Sequence, residues 1–194
     1  MLANSYPSFT KDELLFIEKK HGKIAKNRIV DYEKTLKSLM PLSKSNQLLK
    51  VNFYLNQLLP QYDTFTKHQE DYWETPKEFL ITGYGDCEDY AIIKYFTLVK
   101  IGFDKNKLFI TTVDEKFTGS YHMVLSYFKQ KNKSPLILDN LSFRVLTLKE
   151  REDLEADLFI NFSGVYKMKN NQLIKQYKYS KQFQDLLLKV QKEN

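Results

Sequence analysis

Gly83-Tyr84-Gly85-Asp86-Cys87-Glu88-Asp89-Tyr90 is the stretch on which the reading of this chain turns. Two glycines break the chain, and then Ala91, Ile92, Tyr95, Leu98 and Val99 recur three and four apart. That spacing predicts a helix from Cys87 to Ile101, closed by Gly102. Cys87 then stands at the helix start, where unpaired backbone N–H groups carry partial positive charge and lower a thiol's pKa. Three carboxylates work the other way, because Asp86, Glu88 and Asp89 surround the sulfur with negative charge. Cys87 is the chain's only cysteine, so no intrachain disulfide can form. A buried cysteine acting as a small hydrophobe is the alternative at this point, although such a residue needs no glycine break before it.

Upstream, the pattern is helical. Thr75-Pro76-Lys77-Glu78 forms a capping box with proline at the first helical position, opening a short helix through Leu80. Residues 61–73 are polar and aromatic without a period, and read as a long loop. Before it, Thr10-Lys11-Asp12-Glu13 caps a helix stopped by Gly22, and a second helix runs from Ile24 to Met40. A third, capped by Ser43 or Ser45, carries Leu48, Leu55, Leu58 and Leu59 inward and stops at Pro60.

Downstream, the character changes to strands: Leu108–Val113, Tyr121–Phe128 and Leu136–Leu138, then a hairpin of Val165–Met168 and Gln172–Tyr177 turning at Asn170-Asn171. Ser180 to Lys192 closes the chain as an amphipathic helix with Phe183, Leu186, Leu187 and Val190 on one face. Helices first and strands after predict an α+β fold with helices packed on an antiparallel sheet. The 194 residues, 42% of them hydrophobic, suit one domain. Within it we read a helical part over 10–60, a core over 61–178 and a final helix over 179–194.

The net charge of +6 comes from lysines scattered along the chain, without the dense basic stripe of a nucleic-acid binder. No stretch approaches the ~20 apolar residues of a membrane span, so contact with a membrane would be peripheral at most. Residues 1–9 show neither the basic nor the apolar region of a signal peptide.

A nucleophilic thiol needs a base, and the base needs an orienting group. His21 ends an exposed helix, and His68 lies in the aromatic loop. His122 lies in a strand whose alternation sets it with Val124, Ser126 and Phe128 on one face. Asp139 closes the apolar run Pro135–Leu138, where an unpaired carboxylate would be costly to bury. An ordinary strand-ending turn is the other reading of Asp139, and a His satisfied by backbone the other reading of His122.

The run Asp71-Tyr72-Trp73-Glu74-Thr75-Pro76-Lys77-Glu78-Phe79-Leu80, then Gly85-Asp86-Cys87-Glu88-Asp89-Tyr90-Ala91, then Lys94-Tyr95-Phe96, resembles the bacterial transglutaminase-like cysteine proteinases, among them the LapG-type periplasmic proteases. The separations of 35 from Cys87 to His122 and 17 from His122 to Asp139 are similar to that family's. The resemblance implies a papain-like, transglutaminase-type core with Cys87 as nucleophile, His122 as base and acid, and Asp139 as orienter. It implies calcium held by acids beside the cysteine: Asp86 and Glu88 first, Asp89 next, with Asp71 and Glu74 as further ligands. It further implies a large biofilm adhesin as substrate, cut near its N-terminus at a paired-alanine site. The periplasmic domain of a cyclic-di-GMP receptor is the implied inhibitor, and the periplasm the implied compartment, with the cytoplasm left open. Calcium would also answer the charge problem, since a divalent cation reverses the electrostatics of three carboxylates. A thiol acyltransferase or amidase on the same core, or an inactive peptide-binding module, are the other readings.

Overall fold

Thr10 starts the first helix as the motif demands: its hydroxyl accepts the Glu13 N–H at 3.1 Å while the Glu13 carboxylate accepts the Thr10 N–H at 2.7 Å. The computed structural model describes residues 6–60 and 72–194. Helix α1 spans Lys11–His21, and Gly22, at φ 90°, turns the chain into α2, Lys23–Leu39. Helix α3, Lys44–Leu55, is capped by the Ser43 hydroxyl. It ends well before Pro60. Beyond it the Asn56 amide donates to the Asp139 and Ser142 carbonyls, and Tyr90 Oη donates to the Leu58 carbonyl. These tertiary bonds take the chain out of the helix, and Leu59–Pro60 becomes a two-residue strand, β1, parallel to β2 (Tyr84–Gly85). The expected loop over 61–73 lies outside the described residues up to 71.

Helix α4, Pro76–Thr82, carries the second capping box, with the Thr75 N–H donating to Glu78 Oε2 at 2.8 Å. Gly83 ends it in the left-handed region at φ 81°. A side chain there would also strike the Arg28 guanidinium, which caps the helix by donating to the Leu80 and Ile81 carbonyls. Helix α5 follows as Cys87–Lys100.

The strands are β3 (Leu108–Glu115), β4 (Ser120–Tyr127), β5 (Leu136–Asp139), β6 (Ser142–Thr147), β7 (Leu154–Asn161), β8 (Gly164–Lys169) and β9 (Gln172–Tyr177). They form one antiparallel sheet in the order β6-β5-β4-β3-β7-β8-β9. The β8–β9 turn uses Asn170 and Asn171 at φ 51° and 59°, the pair of left-handed residues a two-residue hairpin requires. The sequence pattern had not revealed β6 and β7. Strand β6 is an edge with no buried residue, and Glu155 and Asp157 interrupt the apolar run of β7.

Helix α5 lies against the sheet with Tyr90, Ile92, Ile93, Tyr95, Phe96 and Leu98 buried. Ile110, Met123, Leu125 and Leu138 meet it from the sheet side, in one core with the helices. Val113, Val124, Ile137 and Leu154 make a smaller cluster of their own, as the two-residue alternation of strands requires. Helix α6, Lys181–Lys192, adds Phe183, Leu186 and Val190, each burial contributing about 1.5–3 kcal/mol. Just past its end, Glu193 accepts from Tyr6 and Thr75, fastening both ends of the described chain to the start of α4.

Candidate active site

Cys87 is the first residue of α5 and is half-buried. The turn before it is tight. A Cβ on Gly85 would stand 2.7 Å from Asp89 Oδ2 and 2.9 Å from the Phe79 ring, so glycine is required by packing. Asp89 itself ties the turn together, accepting the Glu74 N–H at 2.8 Å on one oxygen and the Asp86 N–H at 3.3 Å on the other. The thiol donates to Glu88 Oε2 at 3.1 Å and lies against the Met123 N–H of β4. Its pKa goes up, contrary to what the helix terminus alone predicts. Burial is the main cause, Glu88's charge and hydrogen bond come next, and the Met123 N–H opposes them only in part.

Met123 follows His122, so thiol and imidazole sit against the same short piece of β4. Strands β4 and β5 pair through Leu125↔Leu138 and Ser126↔Ile137. That ladder ends at Leu138, and the pairing of β5 with β6 shifts register between Ile137 and Asp139, so Asp139 lies just beyond the regular pairing. His122 Nε2 lies 2.8 Å from Asp139 Oδ1, with both residues buried. Among the described residues Nδ1 has no hydrogen-bond partner, so it is the ring nitrogen left for proton transfer. The Leu141 N–H donates to the same Asp139 oxygen at 2.9 Å, and Arg151 Nη2 forms an ion pair with Oδ2 at 2.8 Å. Burial works against charge on Asp139, yet His122, the Leu141 N–H and Arg151 outweigh it and hold the carboxyl down to about 2. The Asn52 and Asn56 amides both donate to the Ser142 carbonyl and so anchor the turn after Asp139 to α3.

The acids around Cys87 form a second feature. Asp89 is pushed well above the ordinary carboxylate range, first by burial and then by the charges of Glu74, Asp86 and Glu88. Hard oxygen donors and mutual repulsion are what a calcium site presents, so these residues fit the ion in donor type and charge. Among the described residues, no three His, Cys, Asp or Glu side chains converge as a ligand cluster. Asp89 spends both oxygens on backbone N–H groups, whereas Glu88 spends one on the thiol. Asp71 and His68 lie outside the described residues, and His21 ends α1 on the surface.

The model of the bacterial transglutaminase-like cysteine proteinase family matches residues 22–153, two thirds of the chain and all three of Cys87, His122 and Asp139. The chain belongs to this family. Three solved structures of Legionella pneumophila LapG agree with that membership. The calcium-bound form is 32% identical with a TM-score of 0.79, covering 91% of this chain and 98% of that one. The EGTA-treated form is 33% identical with a TM-score of 0.77, covering 91% and 97%. A third LapG structure is 31% identical with a TM-score of 0.80, covering 97% and 100%. No curated protein sequence matches the chain. This family member therefore has the α+β, transglutaminase-like fold of LapG and is a cysteine proteinase.

The roles of three residues of this proteinase, Arg151, Asn56 and Lys94, escaped the sequence reading. Arg151 lies in a charged run, Lys149 to Asp153, with nothing to single it out. Asn56 reads as an ordinary helix end. Lys94 did leave a signal: a lone lysine inside the apolar stretch Ala91–Phe96 is either a helix kink to solvent or a buried charge, and here it is buried.

Proposed function

We propose that this chain is a calcium-dependent cysteine endopeptidase in which Cys87 is the nucleophile, His122 the base and acid, and Asp139 the orienting carboxylate. The observation that carries the reading is the buried 2.8 Å contact between His122 Nε2 and Asp139, made on the strand that also meets the Cys87 thiol.

His122 takes the thiol proton on Nδ1, and the thiolate attacks a peptide carbonyl. The Cys87 N–H, at the helix start, stabilises the oxyanion. His122 then gives its proton to the leaving amine, and water, deprotonated by the same ring, releases the acyl group and restores the thiol. Asp139 fixes the tautomer and stabilises the imidazolium. Asp86 and Glu88 are the residues that would hold calcium, with Asp89 shaping the loop beside them. Bound there, calcium supplies the positive charge that the thiolate otherwise lacks. The same carboxylates, left alone, hold the thiol protonated.

For the substrate we propose the N-terminal region of a large surface adhesin, cut at a paired-alanine site. A periplasmic location and a cyclic-di-GMP receptor as inhibitor belong to the same reading. Among the described residues no helix is long and apolar enough to cross a membrane. The test is cleavage of a paired-alanine peptide by the wild type and by Cys87→Ala, with calcium and with EGTA. Cleavage that needs both Cys87 and calcium is expected. Amide transfer to an added amine without hydrolysis would make the chain a transferase. Peptide binding without turnover would make it a binding module.

A further inference from the structure

Residues 72–75 are neither helix nor strand, yet Trp73, Glu74 and Thr75 are all buried. Buried backbone without a ladder must find its partners elsewhere, and each partner then fixes where the segment lies. The Thr75 N–H goes to Glu78 on α4. The peptide group between Trp73 and Glu74 is held from both ends. Its carbonyl accepts from Lys189 Nζ of α6 at 3.0 Å, and its N–H donates to Asp89 Oδ1 of α5 at 2.8 Å. In a trans peptide unit the C=O and N–H point in opposite directions within one rigid plane, so Lys189 and Asp89 clamp it from opposite sides.

Lys189 is fixed in its turn. Its ammonium lies 3.6 Å from the centre of the Tyr72 ring, and Tyr72 Oη donates to Glu78 Oε1 at 2.9 Å. Just past α6, Glu193 accepts from the Thr75 hydroxyl at 2.8 Å, and the Glu193 carbonyl accepts from Lys77 Nζ at 3.1 Å. Helix α6 is docked without these bonds, because Phe183, Leu186 and Val190 are buried beneath it. The irregular segment is what they hold. On the far side, Asp89 passes the constraint on. Its second oxygen accepts the Asp86 N–H, and a Cβ on Gly85 would strike that same oxygen, so carboxylate and turn move as one body. A cation on the carbonyl also polarises the peptide group and strengthens its N–H as a donor to Asp89. Helix α6 lies beyond the residues 22–153 that the family model matches.

We propose that Lys189 is a positioning residue: through the Trp73–Glu74 peptide group it holds Asp89, and with it the turn that presents Cys87, Asp86 and Glu88. This rests on the reading of Cys87 as nucleophile and of Asp86 and Glu88 as calcium ligands.

The test is amide hydrogen exchange followed by NMR on the full chain, beside calcium titration by calorimetry and the cleavage assay. In EGTA, Lys189→Met should speed exchange of the Glu74 and Asp86 amides about tenfold, while Leu186 and Val190 in α6 keep wild-type protection. Calcium should bind about tenfold more weakly, the low end of what partners standing behind metal ligands contribute. In cleavage, kcat should fall more than KM changes. Lys189→Arg keeps the cation and the donor, and should restore all three. Unmoved Glu74 exchange in folded Lys189→Met overturns the proposal, and so does protection lost equally along α6, which would make Lys189 a fastener of its own helix. If Lys189→Met does not fold, Lys189→Gln, which loses the charge and keeps a donor, is read in the same way. Wild-type calcium affinity and cleavage in the variant remove the role of Lys189 alone. A wild type that neither binds calcium nor cleaves removes the proposed function, and the role of Lys189 with it.

Discussion

Replacing Glu88 by Gln should affect the thiol in opposite ways with and without calcium. Glu88 Oε2 stands 3.1 Å from Cys87 Sγ, where a thiolate and a carboxylate repel by about 5 kcal/mol at an effective dielectric of about 20. Cys87 is only partly buried and the glutamine amide can still donate to the sulfur, so solvent screening leaves about 1.5–3 kcal/mol, or one to two pKa units. Each unit raises the thiolate fraction tenfold, while intrinsic nucleophilicity falls by somewhat less than half as much on a logarithmic scale. In EGTA, near pH 7, the variant should therefore react with iodoacetamide about three- to tenfold faster than the wild type. In calcium the order should reverse, because the variant would lack a proposed ligand: wild-type alkylation should accelerate and the variant's should not. An unchanged or slower reaction of Glu88→Gln in EGTA would refute the claim that this carboxylate holds the thiol protonated. A variant that responds to calcium like the wild type would remove Glu88 from the ligand set.

Asp139→Asn should lower cleavage by about four orders of magnitude and cost about 3–5 kcal/mol in chemical denaturation, since it leaves buried cations uncompensated. The folded-state value of about 2 for Asp139 lies below the ordinary value near 4. Its contribution to stability is thus fully present above about pH 4 and is lost as pH falls through about 2, and Asp139→Asn should flatten the acid limb of a stability–pH curve there. Arg151→Met should lower thermal stability and raise the Asp139 value, read by carboxylate NMR. Asn56→Ala removes donors at 2.7 and 3.0 Å to the Asp139 and Ser142 carbonyls, and should cost about 1–3 kcal/mol while lowering kcat more than it changes KM.

Much of this site can be read in the sequence because its parts obey local rules. The glycine break, the capping boxes and the spacing after Cys87 are local signals, and they fix α4, the turn and α5. Strand alternation likewise gave the face of His122. What the sequence withheld depends on tertiary contact. Helix α3 stops short because Asn56 is claimed by a strand about eighty residues away. Strand β7 hides behind Glu155 and Asp157, whose side chains leave the sheet for solvent. Arg151 acquires meaning only once the fold brings it to Asp139. The opposing pulls on the thiol were legible, terminal N–H groups against neighbouring acids, but burial, the largest cause of its raised pKa, depends on tertiary packing.

The residues proposed as nucleophile, base and orienting carboxylate come from α5, β4 and β5, in chain order and with only β3 and the 3-10 turn Lys105–Lys107 between the first two. A ribosome thus releases the thiol first, its imidazole later and the carboxylate last. The three come together only where β4 and β5 pack beside α5, so no stretch of the chain that stops short of Asp139 can hold the whole proposed site.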